Sequence, residues 1–226
     1  MVVGKSRSGN SPCRQKRRDF CDNNGSRLKW LPQRSSLISC KEDASMDGVN
    51  IEKINRYNFR ACIQALSRPG SRERIIPLSD IPLHAPAHCL LSSEVTCCFK
   101  GKQNYDQVAV LTGSEQVAAA GADYIFCEKA DTQILAAAKT GTLLHPDHSA
   151  TLFVQSTPQQ ADQTKLRLQG PGINKSTVVS LPAPQDFLLE LQQKNSSFPL
   201  GVDCFFLDAD NYLTGLSRTT RMEFIQ

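Results

Sequence analysis

The 226-residue chain has no apolar run approaching the roughly 18 to 20 residues of a membrane-spanning helix, so no membrane span is expected. The opening stretch from Met1 to Asn10 is polar and basic with no apolar segment behind it, which does not read as a secretory signal. A cytoplasmic protein is the expectation. Nine cysteines are present, but none has the C-x-x-C spacing of a zinc or redox site. Cys62, Cys89, Cys97, Cys98, Cys127 and Cys204 fall inside apolar segments, where free thiols behave as small hydrophobes in a reducing compartment. Adjacent Cys97 and Cys98 would point to opposite faces of a strand, so iron–sulfur ligation is not encoded. A Ser-His-Asp order, a nucleophile elbow and a paired-carboxylate signature are also lacking, which weighs against an enzyme acting alone. Histidine is scarce at four residues. His84 and His88 are four apart, but Pro82 and Pro86 are expected to disrupt a helix that would align them. His145 and His148 have no acidic or cysteine partner at zinc-motif spacing, so no metal is expected.

The formal charge of +4 is unevenly spread. Residues 1 to 45 hold ten Lys/Arg and four Asp/Glu, leaving 16 basic and 18 acidic groups in the rest of the chain. The basic character belongs to the first fifth, and a nucleic-acid or membrane-surface role for the remainder loses its support. That first segment is rich in Arg, Ser, Asn and Cys without helical or strand periodicity, as in a disordered leader. Two readings apply: a basic tail for an anionic partner through Arg14, Lys16, Arg17 and Arg18, or an upstream extension of the true start. Lys41-Glu42-Asp43 can be encoded AAG-GAG-GAT, which contains a bacterial ribosome-binding sequence before Met46. Translation from Met46 is therefore expected, with residues 46–226 forming one domain.

Helical periodicity begins near Asn55, with Phe59, Cys62, Ile63 and Leu66 at three- and four-residue spacing, and stops at Ser67-Arg68-Pro69-Gly70. Ala87 to Ser92 reads as a short helix, Glu94 to Lys100 and Asp106 to Leu111 as strands, and the residues up to Ala119 as another short helix. Ala122 to Cys127 reads as a strand and Asp131 to Lys139 as a helix capped by Asp131 or Thr132. Thr151 to Gln155 is a strand, Lys165 to Gln169 and Ser176 to Leu181 a hairpin, and Pro184 to Lys194 an amphipathic helix burying Phe187, Leu188 and Leu191. Val202 to Leu207 and Tyr212 to Leu216 close the pattern as paired strands. Helices interleaved with strands indicate an α/β layered fold.

Five punctuated motifs exceed what composition produces. They are Phe59-Arg60 with Leu66-Ser67-Arg68-Pro69-Gly70; Gly141-Thr142 leading to Pro146; Leu168-Gln169-Gly170-Pro171-Gly172-Ile173; Phe198-Pro199-Leu200-Gly201-Val202-Asp203; and Ser217-Arg218-Thr219-Thr220. In order and spacing the sequence resembles the PhnH family, the H subunit of the carbon–phosphorus lyase core complex, over roughly Ile54 to Phe224. The resemblance implies a layered α/β/α domain with a mixed sheet, similar to the large domain of pyridoxal-phosphate-dependent transferases but without that cofactor. It implies a homodimer that assembles with PhnG-, PhnI- and PhnJ-type subunits. With the G, I and L types it supports transfer of a phosphonate onto the ribose C1 of ATP, displacing adenine. The product is a ribose 1-phosphonate 5-triphosphate. No cofactor is implied for this subunit, ATP being used by the complex, and no catalytic residue is assigned to it. The family tail commonly reads Pro-Arg-Thr-Thr; Ser217 stands here in the proline's place, which is expected to loosen the backbone before Arg218.

Arg218, Thr219 and Thr220 combine a guanidinium fork with two hydroxyls, a set suited to phosphate or phosphonate oxygens. The alternative is that Arg218 pairs with a carboxylate such as Asp203, tying the last strands together, or contacts a partner subunit. Pro199 and Gly201 read as a stiff turn into a buried strand. Gly170-Pro171-Gly172 lacks the lysine and following helix of a phosphate loop and reads as a hairpin turn. Two functions follow: an assembly and positioning subunit, or an independent phosphonate- or nucleotide-binding transferase with Arg218, Thr219 and Thr220 as its anion clamp. A nucleic-acid binder using the basic tail is a third, which falls if the leader is not translated.

Overall fold

The computed structural model describes residues 48–155 and 163–225, so the basic leader and the Met46 start lie outside the described residues. Helix α1 (Gly48–Ser67) leads into strand β1 (Arg72–Arg74) and helix α2 (His84–Leu90). Strand β2 (Thr96–Lys100), helix α3 (Asp106–Thr112) and strand β3 (Glu115–Gln116) follow. Next come β4 (Tyr124–Cys127), α4 (Thr132–Ala137) and β5 (Thr151–Gln155), then the hairpin β6 (Thr164–Gln169) and β7 (Thr177–Leu181). Helix α5 (Gln185–Lys194) and strands β8 (Asp203–Leu207), β9 (Tyr212–Leu216) and β10 (Arg221–Phe224) complete the described chain.

Seven strands form one mixed sheet in the order β1-β9-β8-β5-β4-β2-β3. Strands β3, β2, β4, β5 and β8 run parallel, and β9 and β1 add to the edge antiparallel. A second antiparallel sheet has the order β10-β6-β7. Two cores lie on opposite faces of the large sheet. One joins residues of α1, α2 and α3 to the inward side chains of the strands. The other joins α4, α5 and the small sheet to the opposite strand face. The architecture is α/β with a mixed sheet, its faces covered by helices as a sheet buried on both sides requires.

The first core is organised by an aromatic ladder. Phe99, Phe126, Phe153 and Phe205 occupy directly paired positions on β2, β4, β5 and β8. Their rings stack at 5.2, 5.2 and 4.5 Å between centroids, and Tyr105 continues the stack on Phe99 at 4.6 Å. Cys97 and Cys98 fall in opposite cores, as the alternation of a strand dictates.

Several local expectations are corrected. On α1 the buried positions are Asn58, Ala61, Cys62 and Ala65, while Phe59 and Ile63 are exposed. The helix is rotated because Asn58 exchanges two hydrogen bonds with the backbone of Ile76, at 3.0 and 2.9 Å. The segment from Asp106 to Leu111 is helical, not a strand: Tyr105, Val108 and Ala109 reach the core at helical spacing. The expected helix before Ala119 is absent, replaced by the short strand β3. Pro86 does not prevent a helix through His84 and His88, because it stands third in α2, where the missing N–H would have no partner within the helix.

Candidate functional site

Strands β8 and β9 pair antiparallel with Cys204 opposite Leu216, which brings the start of one beside the end of the other. Asp203 and Arg218 meet there. The Arg218 backbone N–H donates to Asp203 Oδ1 at 2.8 Å, and Nη2 donates to Oδ2 at 2.6 Å. Nε lies 3.5 Å from Oδ1, and Nη1 donates to the Pro146 carbonyl at 2.7 Å. Both side chains of the ion pair are only 17% exposed. A guanidinium has five N–H donors in a fixed fork, and three of Arg218's are directed inside the protein.

The hydroxyls beside it are also engaged. Ser217 Oγ is 2.8 Å from Thr219 Oγ1 and 3.0 Å from Thr220 Oγ1, and the turn is closed by the Thr220 N–H donating to the Ser217 carbonyl. Ser217, read from sequence as a loosening of the backbone, is the hub of this hydroxyl cluster. A proline there would supply no such group.

Gly201 and Pro199 stand on the adjoining turn. Gly201 has φ +148°, and a Cβ there would lie 2.5 Å from Asn195 Oδ1. Its N–H donates to the Thr140 carbonyl at 3.1 Å. Asn195 in turn exchanges hydrogen bonds with the Val202 backbone at 3.0 and 2.8 Å. The six expected residues therefore belong to one connected region, in which Asn195, Pro146 and Ser217 are structural partners that sequence reasoning did not assign. An asparagine directly after the amphipathic helix was the available signal for the first. A backbone acceptor such as Pro146 leaves none.

A cavity of about 950 Å³ opens beside this bracket, lined by Arg167, Gln192, Phe198, Arg218, Thr219 and Arg221 among others. Arg167 pairs with Glu223 at 2.9 Å, and Gln192 Nε2 donates to the Met222 carbonyl at 2.8 Å. Arg221 makes no ion pair among the described residues. In the loop around Pro146, His145, Asp147 and His148 come together with ligand atoms within 4.8 Å of one another, all three exposed. Gly170 to Gly172 lie in the connection between β6 and β7, as a hairpin requires. No helix among the described residues is long and apolar enough to cross a membrane.

Residues 51–223 match the model of a family described as bacterial phosphonate metabolism protein (PhnH). The chain belongs to the PhnH family. The match takes in the whole Asp203–Arg218 bracket, the residues lining the 950 Å³ cavity, the seven-stranded sheet and all of the small sheet but Phe224. No curated protein matches the chain. PhnH membership connects the chain to phosphonate metabolism and to the carbon–phosphorus lyase system; the individual roles of Arg218, Thr219 and Thr220 rest on the geometry above.

Proposed function

We propose that this chain is a non-catalytic subunit of a carbon–phosphorus lyase complex, contributing assembly and positioning. In that role it supports formation of ribose 1-phosphonate 5-triphosphate from ATP and an alkylphosphonate, with adenine displaced, in company with PhnG-, PhnI-, PhnJ- and PhnL-type subunits. The chain itself binds no cofactor and forms a homodimer when alone.

The carrying observation, within PhnH membership, is the internal use of the candidate anion clamp. Arg218 is tied to Asp203 and Pro146, and both threonine hydroxyls are tied to Ser217. Groups so engaged hold segments together, which is positioning chemistry. Apolar exposure adds support for partner contact. Leu143, Leu144 and Phe198 are 77, 87 and 66% exposed, on two segments joined by the Gly201-to-Thr140 hydrogen bond. Phe59 and Ile63, one turn apart on α1, add a second exposed apolar pair.

A second reading, an independent phosphonate- or nucleotide-binding transferase, draws on the cavity beside Arg218, Thr219 and Thr220. Co-expression of a chain beginning at Met46 with G-, I- and J-type subunits separates the two. The assembly reading expects co-elution in a stoichiometric large complex, weakened by Leu144→Asp, and no turnover by the chain alone. A solitary dimer with turnover of its own, abolished by Arg218→Ala, would replace it with the transferase reading.

A further inference from the structure

The parallel part of the large sheet changes direction at one place. From β2 the chain passes through α3 to β3 on one side, then returns to place β4 on the other side of β2. Helix α3 packs in one core and α4 in the opposite core. The connections leaving the carboxyl ends of β2 and β4 therefore diverge to opposite faces and leave a crevice between them. In open α/β sheets this is the position at which ligands enter.

Here the crevice is a cavity of about 520 Å³, within the range of small-molecule sites. Its lining includes Lys100 at the end of β2, Lys102 in the loop after it, Lys129 just beyond β4 and Gln155 at the end of β5. The three ammonium groups make no ion pair among the described residues. The two carboxylates on the rim are already engaged. Glu128 accepts from the Lys102 and Gln103 amides at 2.9 and 2.7 Å, and Asp131 caps α4 through the Gln133 and Ile134 amides. Among the described residues, the side-chain oxygen of Gln155 is buried without a hydrogen-bond partner. A buried acceptor without a donor is uncommon, because its lost hydration is not replaced.

We infer that this crevice binds a small phosphorylated molecule carrying hydroxyl groups, of the size and chemistry of a sugar phosphate. The lysines face its phosphoryl oxygens, and a hydroxyl donates to Gln155. The site lies at the β2–β4 divergence and stands apart from the Asp203–Arg218 region, so it does not depend on the assembly role.

Isothermal titration of the full chain with ribose 5-phosphate, inorganic phosphate and ribose tests it. Saturable one-to-one binding of ribose 5-phosphate is expected, tighter than inorganic phosphate, with no binding of ribose. Lys102→Gln with Lys129→Gln should weaken ribose 5-phosphate about tenfold or more, these being charge-assisted contacts. Lys53→Gln with Lys165→Gln, exposed on other elements, should change nothing. Gln155→Leu should reduce ribose 5-phosphate to the level of inorganic phosphate. If that variant does not fold, the lysine pair still decides. Absence of saturable binding, equal losses in the two lysine pairs, or undiminished binding after loss of Lys102 and Lys129 each overturns the inference.

Discussion

Arg218 holds Asp203 twice over, by its backbone amide and by its guanidinium, while the same guanidinium reaches back 72 residues to the Pro146 carbonyl. Three separate stretches of chain thus meet at one side chain: the start of β8, the turn after β9 and the loop before β5. Arg218→Ala and Asp203→Ala should each destabilise the fold by about 2 kcal/mol, each leaving a mostly buried partner without its counter-charge. The double variant should cost clearly less than the sum, since the second change removes a group already stranded. Urea unfolding of the four proteins gives the cycle. Additive losses would mean that the two side chains do not act as a unit. Arg218→Lys should recover only part of the loss, because an ammonium lacks the planar fork that serves Asp203 and Pro146 together.

His84 gives a pH dependence with a definite sign. Its Nε2 lies 3.3 Å from the Asn104 carbonyl, which can only accept, so Nε2 carries the proton and Nδ1 accepts from Ser79 Oγ at 2.8 Å. Burial holds the imidazole below its ordinary value, the Asn104 carbonyl opposes this, and nearby His88 adds to the lowering. A group lowered on folding takes up protons more readily when unfolded. Its contribution is complete above the ordinary histidine value of about 6.5 and is lost as pH falls through the lower folded value. The melting temperature should therefore drop between neutral and mildly acid pH, and His84→Gln should flatten that part of the profile. An unchanged slope in the variant would place the acid sensitivity elsewhere.

How much of this was readable in the sequence depends on the range of the interaction. Helix α5, with Phe187, Leu188 and Leu191 buried, and the β8–β9 pair follow from local periodicity alone. Strand β1 escaped because Arg-Glu-Arg has no apolar alternation; it is an edge strand held by pairing to β9. Asp106 to Leu111 misled because valine favours strands by propensity, whereas the core contacts of Val108 and Ala109 decide for helix. Asp203 was foreseen as one partner for Arg218, but the Pro146 carbonyl carries no sequence signal. The crevice at Lys100 and Gln155 was not legible at all, since it exists only through the order of strands in the sheet.

Gly172 is fixed by close approach. Its φ is +80°, and a Cβ there would fall 2.0 Å from the Ser67 carbonyl oxygen at the end of α1. Any side chain must push the small sheet's hairpin away from the helix end or alter both. Gly172→Ala should destabilise by about 2 kcal/mol or more, beyond the roughly 1 kcal/mol of left-handed backbone strain alone. Thermal unfolding reads this directly. A loss no larger than the strain alone would show that the hairpin connection moves aside freely.

Cys127 and Cys204 should resist modification for a physical reason beyond simple shielding. Both are buried in the same core, on β4 and β8. Burial pushes the Cys127 thiol up to about 12, Cys98 and Asp131 adding to it and Lys100 opposing, and burial also raises Cys204 well above the ordinary thiol value. The thiolate is the reactive form, so at pH 8 Cys127 would present only about one part in ten thousand as thiolate even to a reagent that reached it. Half-buried Cys89 should be labelled before either. Peptide-level mass spectrometry after iodoacetamide treatment should find Cys127 and Cys204 unlabelled in the native protein and fully labelled in urea. Labelling of native Cys127 at the rate of a free thiol would show that the β4 strand opens readily on that side, and that the core between the large sheet and α4 is not closed.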